Sequence, residues 1–387
     1  MTVVAGRPAI PAARYAERLR HAVEAATASG LDALLIGVGS DLRYLTAYEA
    51  MPLERLTMLA IIRGQPPFIV VPRLERGAAE QGLLAPVEIV TWGELDDAHA
   101  IIAGRIPAPT GDAGPRIAVS DGLWAVHLLK FQEHLGPSAR FEPASPVLRD
   151  LRMVKDTDEI ALLREAAHAA DRVVASVAAG TLIGRTEADV AREVRERLVA
   201  EGHEFGLFAI VASGPNSASS HHEASDRVIR AGEPIVLDIG GVLGGYCSDI
   251  TRTLWVTGGD PAKGPDERYR AFFGVLHDAQ AASVQAVAPG VACSAIDAAA
   301  REPIEAAGFG EAFFHRTGHG IGLDGHEDPY IIAGNDIPLR SGMTFSVEPG
   351  IYFPGEYGAR IEDIVLCGPD GPDPLNEAAH ELYVVDG

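Results

Sequence analysis

Cysteine is scarce in this chain: three residues, Cys247, Cys293 and Cys367, stand far apart and odd in number among 387. That argues against a disulfide framework or a thiolate zinc site and predicts a reducing, cytoplasmic setting. Long apolar runs are missing too. No stretch reaches the roughly 18 residues that a bilayer span needs. The opening MTVVAGRPAIPAARYAERLR has no basic start leading into an apolar segment, so neither a membrane role nor a secretory signal is expected. Positive charge is in deficit. With 32 Lys and Arg against 54 Asp and Glu, the net charge is −22 and no basic block occurs, which speaks against nucleic acid or an anionic membrane as partner. No glycine-rich phosphate loop follows a strand in the first part of the chain, so a dinucleotide role has no footing.

What is present is globular: 47% hydrophobic and 22% charged, in a chain long enough for two domains. Up to about residue 145, helix-like and strand-like segments alternate. YAERLRHAVEAATASG places Leu19, Val23 and Ala26 at helical spacing and stops at Gly30. DALLIGV, TMLAIIRG, FIVVPRL, VEIVTW and RIAVS read as strands, with helices over GELDDAHAIIAGRI and GLWAVHLLKFQEHL. A small α/β domain follows from that pattern. Pro143 and Pro146 then interrupt it. A long amphipathic helix is predicted from Thr157, with Ile160, Leu163, Ala167 and Ala170 on one stripe. The domain cut is expected near residue 150, giving units 1–150 and 151–387.

The second unit contains a faint duplication. Setting Gly184 against Gly290 pairs Val190 with Ile296, Arg195 with Arg301, Glu196 with Glu302, Leu198 with Ile304 and Gly202 with Gly308. Two similar α/β halves are expected, with the site in the cleft between them.

The chemistry begins in HRTGHGIGLDGHEDPYI, residues 315–331. His315 and His319 have the spacing of a helical zinc pair, but Gly318, Gly320 and Gly322 crowd the second histidine. Each glycine costs a helix interior about 1 kcal/mol relative to alanine, so a strand or loop is predicted instead. The partners of His319 must come from elsewhere. PIVLDIGGVLGGYCSDITRTLWV, residues 234–256, reads as a hairpin joined through its paired glycines, with Asp238 and Asp249 on neighbouring strands. GMTFSVEPGIYF and GARIEDIVLC likewise place Glu348 and Glu362 among apolar strand residues. An Arg360–Glu362 pair on one strand face would account for Glu362 alone. Four carboxylates in apolar strands call for a shared counter-charge, because a buried charge without a partner is costly. Scattered surface acids are the bland alternative in so acidic a chain. Oxygen donors with one imidazole suit Mn²⁺, Co²⁺ or Zn²⁺, and bridging carboxylates suit two ions together.

Asp238, then Asp249 in SDITRT, His319 in TGHGIG, Glu348 in EPGIY and Glu362 in RIED appear in an order that resembles the pita-bread metallopeptidases. Within that family the likeness is to the Xaa-Pro dipeptidases (prolidases) and Xaa-Pro aminopeptidases. RLRHAVEAATASGLDALLI and DLRYLTAY look like the family's N-terminal domain, so the resemblance spans the chain. It implies an α/β fold in which a small creatinase-like domain precedes a pita-bread domain of two pseudo-symmetric halves. It also implies that Asp238, Asp249, His319, Glu348 and Glu362 hold two divalent ions, manganese before cobalt or zinc, with Asp249 and Glu362 bridging. Glu348 would take the proton of a metal-bridging hydroxide. In VASGPNSASSHHEASDR the match selects His221 over His222, although Ser220 stands where the family has proline. His221 and His326 would donate to the scissile carbonyl. Arg360 would orient Glu362 or the substrate.

The expected activity is hydrolysis of the Xaa-Pro bond of a dipeptide. The expected partners are a small peptide with proline in second position and a second copy of the chain. Release of the first residue from longer peptides is the alternative reading. A non-catalytic peptide-binding module is the alternative from another class, which degraded ligands would mark. A dipeptidase needs a cation to read the proline carboxylate among so many acids, and Arg360 and Arg43 are the sequence candidates.

Overall fold

The structure is a computed structural model that describes residues 8–107 and 114–387. Residues 1–7, part of the opening stretch read for a signal, lie outside the described residues. The chain divides into two compact units, Ile10–Arg152 and Met153–Gly387.

Six strands build the Ile10–Arg152 sheet: β1 (Ala33–Ile36), β2 (Met58–Ile62), β3 (Phe68–Pro72), β4 (Glu88–Trp92), β5 (Arg116–Val119) and β6 (Arg140–Pro143). Their order is β4-β3-β2-β1-β5-β6. The β1–β2 and β2–β3 pairs are antiparallel and the others parallel. Every residue of β1, β2 and β3 is buried, which is why these segments read as unbroken apolar runs. Helices α1 (Ala12–Ala28), α2 (Ser40–Thr46), α3 (Arg76–Gly82), α4 (Ala98–Ala103) and α5 (Ala125–Leu135) accompany them. The prolines that break the sequence pattern mark a strand-to-helix turn. Pro143 closes β6, and Pro146 sits in the first turn of α6 (Ser145–Met153), where its missing N–H has no helical partner to lose.

In the second unit α7 (Thr157–Ala178) starts at a capping box between Asp156 and Glu159. Its buried face runs through Leu162, Leu163, Ala166, Ala167 and Ala170. Ile160 is only half-buried, and Glu159 lies inside in its place, accepting a hydrogen bond from the Tyr246 hydroxyl at 3.0 Å. There follow α8 (Glu187–Ala200), β7 (Phe205–Ser213), β8 (Glu233–Leu243), β9 (Tyr246–Cys247), β10 (Ile250–Val256), α9 (Glu267–Gln285) and α10 (Cys293–Ala306). The remaining strands are β11 (Gly318–Gly320), β12 (Glu327–Ile331), β13 (Thr344–Val347), β14 (Gly350–Phe353), β15 (Tyr357–Arg360), β16 (Asp363–Cys367), β17 (Pro372–Pro374) and β18 (Tyr383–Val385). They form one sheet in the order β18-β10-β8-β7 with β9 on β8, a second in the order β12-β11-β13-β16-β17, and the ribbon β14-β15.

The duplication is visible in the backbone. Setting Gly184 against Gly290 aligns Glu187 with Cys293 and Ala200 with Ala306, which are the ends of α8 and α10, 14 residues each. The residue before each helix bridges an extended segment in the same way, Thr186 to Val228 and Ala292 to Pro338.

Candidate metal centre

Two hairpins bring the acids together. The first is β8–β10, turned at Gly244–Gly245, whose φ values of 60° and 88° are those of a two-residue type I′ turn. The other glycine pair, Gly240–Gly241, is not a turn but stays inside β8. In the register Thr251 faces Asp238 and Ile250 faces Ile239. Continuing it by one residue sets Asp249 opposite Gly240. Asp238, Asp249 and Thr251 therefore share one face of the hairpin.

The second hairpin runs through two sheets. Val347 faces Asp363 in the β13–β16 pair, and Gly350 faces Arg360 in the β14–β15 pair. Both pairings belong to one register, and it places Glu348 opposite Glu362 at the break between them. The acids sit where the strands leave one sheet for another, and Glu362 bridges to Thr251 of the first hairpin.

His319 comes from β11, a strand and not a helix, facing Tyr330 of β12. A Cβ on Gly318 would lie 1.9 Å from the Ser346 carbonyl oxygen and one on Gly320 2.3 Å from that of Asp328, so the glycines that break the helical reading let the neighbouring chains close around this histidine. Its Nδ1 donates to the Gly320 carbonyl at 3.1 Å. That leaves Nε2 facing Glu348 Oε1 at 3.2 Å and Asp249 Oδ2 at 3.9 Å.

Asp249, His319 and Glu362 are buried, and their ligating atoms lie within 4.8 Å of one another. Burial, followed by the carboxylates of Glu362 and Asp238, pushes Asp249 well above the usual range. Burial and then Glu348 and Asp238 do the same to Glu362. Divalent cations reverse that sense by favouring the ionised forms. Asp238 adds a direct sign: its Oδ1 is buried with no hydrogen-bond partner. An unsatisfied buried carboxylate oxygen beside three clustered donors fits a cation.

Arg360 is 2% exposed and uses four of its five N–H donors. It pairs with Asp238 Oδ2 and donates to the Tyr352 hydroxyl at 2.7 Å, the Ser220 carbonyl at 3.2 Å and Thr251 Oγ1 at 3.1 Å. It meets Glu362 only through Thr251, whose hydroxyl donates to Glu362 Oε2 at 2.6 Å. The Tyr352 hydroxyl is 3.1 Å from His315 Nε2, and His315 Nδ1 donates to the Arg316 carbonyl at 2.7 Å. Burial lowers the His315 pKa and raises that of Tyr352 to about 12.

The eight residues to which the family resemblance gives a role line one cavity of about 340 Å³, at the small end of the ~300–1,000 Å³ usual for small-molecule sites. His221 lines it; His222 does not. Arg43 is elsewhere, on α2, 3.2 Å from Glu49. His315, given no role by the sequence, lines the cavity as well, and three further lining residues escaped the sequence reading: Phe208 and Ile210 from β7, and Arg316. Ile210 could have been found, because it faces Asp238 across the β7–β8 ladder. Arg316 donates to His326 Nδ1 at 3.0 Å, with its guanidinium 4.5 Å from the centre of the Tyr330 ring. A guanidinium only donates, so the His326 proton is on Nε2. Burial, with His319 and Arg316 nearby, lowers the His326 pKa to about 4, making the ring a neutral donor near pH 7.

Residues 161–369 match the family described as Metallopeptidase family M24, and residues 18–154 match the Creatinase/Prolidase N-terminal domain. The chain is 46% identical over 374 residues to the probable dipeptidase PepE of Mycobacterium tuberculosis, covering 96% of each. The structure of dipeptidase PepE from Mycobacterium ulcerans superposes with a TM-score of 0.89 at 45% identity, over 97% of this chain and 99% of that one. Recombinant prolidase from Thermococcus sibiricus gives 0.87 at 35% identity, over 96% and 98%. The small α/β domain followed by a pita-bread domain, expected from the sequence, is the fold these proteins share.

Proposed function

The chain belongs to metallopeptidase family M24, and from that membership we propose that it is a metal-dependent dipeptidase cleaving the Xaa-Pro bond. The observation that carries the reading is the convergence of Asp249, His319 and Glu362 within 4.8 Å, beside the unsatisfied Asp238 oxygen. A prolidase 35% identical over nearly the whole chain supports the Xaa-Pro specificity.

Asp238, Asp249, His319, Glu348 and Glu362 would hold two divalent ions, for which manganese is the first choice on an oxygen-rich set with one imidazole. Bound there, such ions polarise a carbonyl and make water nucleophilic near neutral pH. The chain's own residues do the rest. His326 presents its Nε2–H, and His221 a second ring, to the carbonyl oxygen of the scissile bond, where negative charge develops. Glu348 takes up the proton released by the attacking water. Burial opposes its ionisation, but His319 beside it, then the charges of His315 and Arg360, outweigh burial and hold it to about 2, so it is an acceptor at neutral pH. Arg360 holds Asp238 and Thr251 in place, and its charge is already matched by Asp238.

A dipeptide brings a carboxylate next to these acids, and its charge needs a partner. Among the described residues lining the cavity, Arg316 is the arginine not paired with an acid: it stands beside His326, and its hydrogen bond goes to a neutral ring nitrogen. Its guanidinium is one hydrogen bond from the proposed carbonyl donor, and successive residues of a peptide are 3.80 Å apart. This favours the dipeptidase reading over the aminopeptidase one. The test is hydrolysis of Gly-Pro, Ala-Pro and Ala-Pro-Ala by metal-stripped protein supplied with Mn²⁺, Co²⁺ or Zn²⁺. Cleavage of the two dipeptides, faster than alanine release from the tripeptide, is expected. Faster alanine release would move the protein to the aminopeptidases, and no hydrolysis with any ion would leave a binding module.

A further inference from the structure

Glu187, the first residue of α8, is completely buried and takes no part in the cavity wall. Its Oε1 accepts hydrogen bonds from Ser213 N at 2.8 Å, Ser213 Oγ at 2.7 Å and Asn216 Nδ2 at 3.0 Å. Its Oε2 accepts from His222 Nε2 at 2.8 Å, Ser225 N at 3.1 Å and Ser225 Oγ at 2.6 Å. All these donors belong to residues 213–225, the stretch that delivers Ser220 and His221 to the cavity. Beyond Ala218 that stretch has no regular structure, and its backbone has few bonds of its own: Ser219 N to the Asn216 carbonyl at 2.9 Å and His222 N to that of Ser219 at 3.3 Å. The Glu187 carboxylate stands in for a strand ladder.

Among the described residues no Lys or Arg pairs with Glu187 directly; its donors are amides, hydroxyls and one imidazole. Arg227 reaches the same hub only through Ser213 Oγ, at 2.6 Å, while holding Glu233. Burial by itself would raise the Glu187 pKa, but the bonds from Ser225, Ser213 and His222 outweigh it and hold the group to about 2. Such a network is worth most when complete, because a donor deprived of its acceptor in the interior costs more than the bond's net contribution.

Two observations separate this arrangement from an ordinary helix start. The N-cap of α8 is Thr186, whose hydroxyl accepts from Asp189 N at 3.1 Å, so Glu187 is not needed to cap it. The equivalent residue of the second half is Cys293, buried at the same place on α10. A half of this fold therefore forms without an acid there. What the first half has in addition is the irregular stretch carrying His221.

We propose that Glu187 is a positioning residue for His221: by fastening His222, Ser213 and Ser225 on either side, it presents the intervening histidine to the cavity in one orientation. Arg360, donating to the Ser220 carbonyl at 3.2 Å, holds the same stretch from the cavity side. The proposal rests on the reading of His221 as a donor to the scissile carbonyl.

A double-mutant cycle on Ala-Pro hydrolysis tests it. Displacement of a catalytic group by about 1 Å costs on the order of 10²-fold, so Glu187→Gln should lower kcat by roughly 10- to 100-fold with KM and metal content little changed. In a His221→Ala background the same change should cost nothing further, because its target is gone. In the metal-free protein, amide hydrogen exchange in residues 213–225 should rise while that of β8 and β10 does not. Should Glu187→Gln not fold, Ser225→Ala removes one hydroxyl donor from the network and is expected to show the same pattern on a smaller scale. A loss that multiplies fully with that of His221→Ala, or unchanged exchange in 213–225, overturns the proposal. Wild-type protein that cleaves no Xaa-Pro peptide overturns the underlying reading instead.

Discussion

His222 Nε2 lies 2.8 Å from the Glu187 carboxylate, while His221, one residue earlier, lines the acid cavity. Adjacent histidines thus have opposite duties, one facing an interior anchor and one facing the site. His221→Ala is expected to keep its metal and lose roughly 10²–10³ in kcat, the cost of one missing oxyanion donor. His222→Ala should lose far less in kcat and show its effect as lower thermal stability, because it removes one donor from a buried carboxylate. The reverse ranking of the two kcat values would show that the segment was aligned one residue out.

Asp249 and Glu362 make the second prediction. Both are buried, and burial with neighbouring carboxylates pushes both well above the usual range, so a metal centre built on them depends on both for charge balance. Asp249→Ala and Glu362→Ala should each bind fewer than two ions per chain and be inactive, with the far-UV circular dichroism of the wild type. Elemental analysis that finds two tightly bound ions in either variant would rule out the assignment.

How legible all this was in the sequence depended on the kind of signal. Asp238, Asp249, Glu348 and Glu362 stood out because a carboxylate in an apolar strand has no local explanation, and His319 because glycines around it excluded a helix. The strands of the Ile10–Arg152 unit were equally plain, since burial on both faces leaves uninterrupted apolar runs. Arg316 and Glu187 gave no such warning. An arginine beside a turn and a glutamate at a helix start are what solvent-facing residues look like, and only the tertiary structure shows that one lines a cavity and the other is buried. Arg360 was noticed, and it reaches Glu362 through Thr251, but its direct ion pair with Asp238 was not legible. The period of two put it with Glu362, whereas the crossing of the two hairpins put Asp238 within its reach. The stripe through Ile160 erred by one position for a related reason: a buried polar residue, Glu159, held by the Tyr246 hydroxyl, occupies the face that hydropathy assigned to its neighbour.

The third prediction lies away from the metal centre. His99, on α4, is 5% exposed, with its Nε2 3.1 Å from His127 Nδ1 and its Nδ1 3.6 Å from Asp97. Burial, then the charges of His127 and Lys130, lower its pKa to about 4; Asp97 opposes them, and His134 adds to them. The ordinary value is about 6.5, so above that pH both folded and unfolded chains carry a neutral ring and stability is complete. Between about 6.5 and 4 the unfolded chain takes up a proton that the fold refuses, and stability falls as the pH falls. The full loss is up to about 3 kcal/mol at roughly 1.4 kcal/mol per pH unit. A His99→Phe variant should therefore lose less stability than wild type between pH 7 and pH 4.5, followed by denaturant unfolding with the fluorescence of Trp92 and Trp124. An NMR titration placing His99 near 6.5 would remove the basis for this.

The last prediction concerns Arg316 and the length of the substrate. If its guanidinium meets the proline carboxylate, the interaction exists only for a peptide that ends at proline with a free acid. A hydrogen bond to a charged group contributes about 1.5–3 kcal/mol, or roughly 10- to 150-fold. Arg316→Ala should raise KM for Ala-Pro by about that factor, with a smaller change in kcat. Ala-Pro amide and Ala-Pro-Ala lack the carboxylate at that position, so their kcat/KM should fall by less than that of Ala-Pro. The comparison also isolates the second duty of Arg316, its bond to His326 Nδ1, because losing that bond would slow all three peptides alike. Arg316→Lys keeps the charge without the planar fork and should restore part of the dipeptide preference. Equal losses on Ala-Pro and on its amide would leave Arg316 as a support for His326 and return the question of the carboxylate to another cation.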